Sequence, residues 1–452
     1  MDYGILTLVP VLVIIVMAVI TRKSFESLLV GSLVACIIMF GRNFMPQWVE
    51  MFLSAMSSRD NQWTILVCGL FGSLIALLRE SKGTNGFVRL GERLCKSERT
   101  TLIGTFILGV VIFVDDYLNM LTVGTCMRKI CDKRKVPREA LAYVLDSTGT
   151  PVCILLPFST WAVFYISLFN KEDAVVSLGY SSGIELYMAI VPYIFYAIAT
   201  VAIVLLFSFG VMPKIGKMKA AYKRTRETGM TYSPQSRKYN HDVETGVNDG
   251  NLVDFLLPMA VLIIMAIVGG DMLLAVVVTL IVCLFQYVPR KIMAFNEWSS
   301  LLITGFCEML PTLAILAGAF TVANCCAEMG LSQYIITTVK PYLNSQSFAV
   351  IIFIVVAVLT FATSSTWGVS TIVVPLIIPL AAAVNADIVL TMAAILSGST
   401  FGSHACFYSD ATVLASTASQ IENLDHAVTQ IPYALIAASI TAAGYLICGM
   451  VM

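Results

Sequence analysis

From residue 346 to residue 384 the chain reads QSFAVIIFIVVAVLTFATSSTWGVSTIVVPLIIPLAAAV, without one Asp, Glu, Lys or Arg. A bilayer core about 30 Å thick is crossed by about 20 residues of helix. This run is far too long for one crossing, and it breaks at TSSTWG. Other runs, such as 5–20 and 253–268, carry almost no charge and match a single crossing. Only 12% of the 452 residues are charged and 58% are hydrophobic, whereas a soluble domain carries about 25% charge. The charge is missing from long blocks, not thinned evenly. The chain therefore reads as an all-α polytopic membrane protein, with the lipid bilayer as its first partner. The basic residues Arg22 and Lys23 follow the first apolar run. A cleavable signal peptide has them in front, so that run is read as the first transmembrane helix. A formal net charge of zero leaves no bulk basic signal for nucleic acid. Twelve cysteines without CxxC spacing read as small buried hydrophobes, and three histidines are too few for a histidine-based metal centre.

Lysine and arginine are strongly clustered, and cytoplasmic loops carry the excess of both. Five regions are read as inside: Arg22 with Lys23, 79–99, 128–138, 214–238, and Arg290 with Lys291. Arg42, Arg59, Lys171 and Lys340 remain, in loops the same scheme puts outside. About ten spans result: 3–20, 25–41, 62–79, 139–169 and 187–211, then 252–268, 272–288, 300–326, 386–421 and 429–450. Both termini fall outside. The stretch 212–251 is the one long hydrophilic segment. It reads as a cytoplasmic basic linker between a first unit, 1–211, and a second, 252–452. The expected location is the cytoplasmic (inner) membrane, crossed many times.

Two segments do not fit as single crossings. Segment 101–127 has basic clusters on both sides, so it enters and leaves by the same face. Segment 346–384 starts and ends outside. Each is read as a re-entrant hairpin, one opening from each face. Non-helical backbone at that depth survives only where protein or a water-filled cavity covers it. The halves then match: three spans, a hairpin, a long broken span and a final span, in opposite directions. Glu80 to Asp115 is 35 residues, and Glu328 to Ser364 is 36. The long spans, about 139–169 and 386–421, are expected to break at DSTGTP (146–151) and GSTFGS (398–403). An inverted repeat with broken helices is the signature of a secondary transporter.

Four polar stretches interrupt the apolar helices, and they hold the candidate site. VDDYLN supplies Asp115, Asp116 and Asn119, and the 146–161 stretch supplies Asp146, Ser147, Thr148 and Thr150. ATSSTWG supplies Ser364, Ser365, Thr366 and Trp367; the 397–412 stretch supplies Ser399, Thr400, His404, Asp410 and Thr412. Gly and Pro unwind a helix, while Ser, Thr and Asp cap the freed ends. Freed N–H groups attract anions; carbonyls and carboxylates suit Na+. Asp115, Asp116, Asn119, Asp146 and Asp410 are the candidate cation and proton ligands, with Na+ at the four aspartates. The hydroxyls, His404 and Trp367 are the candidate substrate contacts. Each has a plainer reading: Asp146 and Asp410 as caps, Asn119 as a cap or partner, His404 and Trp367 as packing. No cofactor is expected beyond the coupling ion, Na+ and/or H+. With no HExxH and no nucleophile–base pair, an enzyme is not expected.

Over 113–162, 363–379 and 396–416 the sequence resembles the NhaC-type Na+/H+ antiporter family of the ion transporter superfamily. The likeness runs through FVDDYLNMLTVGT, DSTGTPVCILLPFSTW, TSSTWG and GSHACFYSDAT. The last stretch departs from the family pattern. Ser403 stands where the family has an acid, Phe407 and its neighbour replace a Ser-Pro, and Ala411 replaces a Thr. Aromatic bulk there points toward an organic solute. The resemblance implies an elevator-type fold and a homodimer. The expected function is a secondary active transporter, an antiporter exchanging Na+ with H+ or with a small solute. The alternative is a Na+-coupled symporter of an amino acid or small carboxylate.

Overall fold

Every element is helical among the residues described by the computed structural model, which are 3–21, 23–83, 86, 94–239, 250–269, 271–339, 343–364, 366–407 and 409–451. Parts of the basic segments lie outside them (84–85, 87–93 and 240–249), as do Lys340, Ser365 and Tyr408. Large apolar side chains face outward, with Val268 at 78% and Phe285 at 70% exposure. Water would not tolerate such a surface; lipid requires it. Helices such as Asn61–Glu80, Ser345–Thr363, Ile388–Ala405 and Asn423–Val451 are long and apolar enough to cross a membrane. The chain is thus a multi-pass membrane protein, and each of the ten expected spans falls on one helix or on two or three consecutive ones.

Three spans are bent. Arg138–Leu155 meets Thr160–Phe169 at 45°, Gly183–Tyr193 meets Phe195–Ser208 at 59°, and Phe295–Glu308 meets Leu313–Glu328 at 45°. The expected break at 146–151 is the interruption at Gly149, between Arg138–Thr148 and Thr150–Leu155, and the 45° bend follows it, after Leu155. The other two are not anticipated by the sequence reading. Pro192 falls in the short 3-10 turn of the second, and Pro311 opens the second arm of the third. Proline fits there because a helix start leaves its N–H unused anyway.

The second long span breaks later than expected. Residues 398–403 lie inside the continuous helix Ile388–Ala405, and the interruption falls at 406–409, before Asp410–Ser419. The two glycines of GSTFGS are close-approach points, not breakers. A Cβ on Gly398 would stand 2.7 Å from the Phe353 carbonyl oxygen, and one on Gly402 2.7 Å from that of Ala357. Small residues spaced by four let two membrane helices touch backbone to backbone. Here they seat Ile388–Ala405 against Ser345–Thr363. Gly72 and Gly305 do the same where Arg59–Glu80 crosses Phe295–Glu308.

The expected outer loop after residue 41 is also helical. The chain turns at Gly41 (φ +54°) and continues as Phe44–Ser57. Trp48 Nε1 then donates to Ser32 Oγ at 2.8 Å. A straight helix would hold those residues about 24 Å apart, so this segment folds back on its predecessor, burying Met51 and Ala55.

Both expected hairpin segments are helix pairs. Glu98–Val111 and Asp116–Lys133 flank a short break, as do Ser345–Thr363 and Thr366–Ala383. Ser364, left-handed at φ +57°, ends the third of these. Each arm of the second pair is long and apolar enough to cross by itself.

Candidate functional site

The first break puts two carboxylates among hydroxyls. Asp115 is the N-cap of Asp116–Lys133, accepting from the Leu118 amide at 3.0 Å. Its other oxygen accepts from Thr160 Oγ1 at 3.2 Å. Asp116 accepts from Thr150 Oγ1 at 2.8 Å. Both aspartates are buried. The Trp161 indole N–H approaches Asp116 without meeting hydrogen-bond geometry. Asp410, exposed, accepts from the Tyr117 hydroxyl across the two halves. Asp116 feels the charge of both Asp115 and Asp410. Among the described residues, no Lys or Arg pairs with any of these three.

Asn119, one turn on, ties the broken ends together. Its amide nitrogen donates to the carbonyls of Gly109 at 2.6 Å, Ile112 at 2.7 Å and Thr148 at 3.4 Å. The last turn of a helix leaves such carbonyls orphaned, and lipid offers no water to satisfy them. The Asn119 Oδ1 is buried with no partner.

Asp146 sits in a different setting. One oxygen accepts from Gln430 Nε2 at 2.7 Å, His426 Nε2 at 3.1 Å and Thr412 Oγ1 at 3.3 Å, all from the second half. Gln430 Nε2 also donates to the His404 carbonyl at 2.5 Å, which satisfies the end of Ile388–Ala405. The His404 ring lies between Ser147 Oγ at 3.1 Å and Tyr196 Oη at 2.7 Å. Asp146 and His404 therefore belong to one buried network that spans the halves.

The remaining candidates divide. Thr150 and Thr412 reach carboxylates. Thr148 and Thr400 bond back to the carbonyls of Val144 and Leu396 in their own helices, both at 2.7 Å. Ser399 pairs with Tyr165 Oη at 2.6 Å, beside Ser370 Oγ at 2.8 Å from the same hydroxyl. Ser364 caps a helix, Thr366 is buried at the start of the next, and Ser365 lies outside the described residues. Trp367 packs on Trp161 (5.0 Å between ring centres) and Phe164 (4.1 Å). Among the described residues, no group of three or more His, Cys, Asp and Glu side chains converges to hold a metal ion. Asp116 feels Asp115 and Asp410, and Asp410 in turn feels Asp146, so the four aspartates adjoin one another without meeting at one point.

Sequence reading missed Tyr117, Thr160, His426 and Gln430. His426 and Gln430 had a signal. They are two polar residues four apart on the long apolar helix Asn423–Val451, hence on one face, and both are fully buried.

The Na+/H+ antiporter family model matches residues 152–450. An uncharacterized protein of Haemophilus influenzae is 27% identical over 482 residues, spanning 98% of this chain and 90% of its own length. Two solved structures share the fold. The YdaH transporter of Alcanivorax borkumensis has 12% identity and a TM-score of 0.57, covering 91% of this chain and 89% of that one. MtrF of Neisseria gonorrhoeae, from a class of antimetabolite efflux pumps, has 13% identity and a TM-score of 0.60, covering 90% and 85%.

Proposed function

Because this chain belongs to the Na+/H+ antiporter family, we propose that it exchanges Na+ for H+ at Asp115, Asp116 and Asp410. One observation carries this reading. Two buried carboxylates and a third, exposed one meet only neutral donors from Thr150, Thr160, Tyr117 and the backbone. Negative charge in a membrane interior needs a counter-charge, and the described residues supply none. A Na+ ion or a proton supplies it, and competition between them at one carboxylate makes the exchange obligatory. Na+ takes oxygen ligands. Asp116, the Thr150 hydroxyl and the unpartnered Asn119 Oδ1 offer them on adjoining turns. Exposed Asp410 gives the ion its entry.

Asp146, gripped by three side chains of the second half, is proposed to link ion occupancy to the relative position of the halves. We read the two halves as an inverted repeat, which fits that role. Helices of the two halves pack on each other in both directions. Asp116–Lys133 packs on Asp410–Ser419, and Thr366–Ala383 packs on Thr160–Phe169. An elevator motion, a homodimer, the inner membrane and outward termini complete the proposal.

Reconstitution in liposomes with a pH-sensitive dye tests the exchange. A Na+ pulse is expected to move protons through the wild type and not through Asp116→Asn. Equal flux through both would remove Asp116 from the mechanism. Absence of Na+-dependent flux at every pH, with uptake of a carboxylate or amino acid driven by Na+, would favour symport.

A further inference from the structure

A large, mostly apolar cavity with an acidic corner lies apart from these aspartates. It holds about 820 Å3, within the usual range of small-molecule sites. It lies among Arg59–Glu80, Leu310–Glu328, Thr366–Ala383 and the turn after Thr160–Phe169. Two of these helices lead to it from the Trp161–Trp367 contact, and Leu168 on its wall is about 10 Å along the helix from Trp161.

Its wall is rich in acceptors. Asn61 is 6% exposed; its amide nitrogen donates to the Ala55 carbonyl at 2.6 Å, while its Oδ1 has no partner. Pro375 and Pro379 lie inside a helix and have no N–H, so the carbonyls of Thr371 and Pro375 lose the partners a helix would supply. Glu172 and Asp173 add carboxylates. Among the described lining residues the one cation is Lys171, whose ammonium lies 3.0 Å from the centre of the Phe320 ring. Within the wall, one protonated amine is thus already packed on an aromatic face.

We propose that this cavity binds a solute carrying a protonated primary amine, held by Glu172 and the proline-freed carbonyls, with its apolar part along Leu168 and Ile372. The site deepens the transporter reading and rests on it only for the movement of the bound solute across the membrane. Burial, reinforced by the charge of Asp173 and opposed by Lys171, pushes Glu172 up to about 7. Lys171, Asp173 and Cys326 are the other titratable groups on the described wall. Glu172 accepts best when ionised, so binding tightens as pH rises through that value.

Thermal stability of the purified full-length protein, titrated with butylamine, norleucine and hexanoate, tests the site. Butylamine is expected to raise the melting temperature and hexanoate to leave it unchanged. Stabilisation by norleucine as well would identify amino acids as the source of the amine, and none would restrict the site to simple amines. Glu172→Gln is expected to weaken butylamine binding about tenfold, since a charge-assisted hydrogen bond becomes a neutral one. Asp173→Asn serves if that variant does not fold. Stabilisation by hexanoate, no response to butylamine, or unchanged affinity in a folded variant would overturn the assignment. The measurement needs no ion gradient, so its failure leaves Na+/H+ exchange standing, and failure of exchange leaves this site standing.

Discussion

Asp115 and Asp116 are adjacent in sequence but do different work. Asp115 caps a helix and holds Thr160; Asp116 faces a threonine hydroxyl and the charge of Asp410. Both acids were legible in the sequence as an anomaly at the end of an apolar run. Their division of labour was not, because it depends on Thr150 and Thr160, more than thirty residues away. Gln430 makes the same point from the other half. Gln430→Leu keeps the volume but strips a donor from Asp146 and from the His404 carbonyl. Leaving buried acceptors short costs about 1–3 kcal/mol. A lowered melting temperature in detergent is the expected result. An unchanged one would mean that another group satisfies both acceptors.

Among the elements, the sequence pattern predicts the broken helices correctly in kind and misplaces one. Glycine next to Ser and Thr at 398–403 looked like a break. The tertiary structure uses those glycines for helix contact, and the break comes at 406–409, where Gln430 and Asn423 meet the His404 and Phe407 carbonyls. Local composition could not separate the two uses of glycine, since both need a missing side chain. Gly402→Val decides between them. Its side chain would meet the Ala357 oxygen at 2.7 Å and the Phe361 nitrogen at 2.9 Å, both backbone atoms that cannot swing aside. Overpacking costs about 1–3 kcal/mol, so the variant is expected to melt lower, whereas a tolerated valine would mean that the two helices have room to part.

Across the whole molecule, the basic stretch after residue 211 is more than a topological marker. Gly216–Thr228 forms a helix, and Arg224 pairs with Glu139 through two bonds of 2.9 Å. Thr231 and Arg138 both hold Asp132, while Ser233 holds Asp425. One strap therefore touches the start of the first broken helix and the start of the last span, close in sequence to Asp146 and His426. Glu139 is 2% exposed. Arg224→Met would leave its charge buried and unpaired, a loss of about 3 kcal/mol. Adding Glu139→Met is expected to restore much of it, and a double-mutant cycle on melting temperature reads the coupling. Additive effects would show that the strap only rests against the core.

Membrane character, the spans and the acidic stretches were determined by the sequence alone. Each rests on local chemistry: lipid demands unbroken apolar helix, and a carboxylate within such helix stands out wherever the chain folds. Only the tertiary structure decided which side chains surround each carboxylate, that Asp146 belongs to His426 and Gln430, and that a large cavity opens beside Asn61 and Glu172. Those facts join residues up to 293 positions apart, and no local pattern of hydropathy carries information about a partner at that distance.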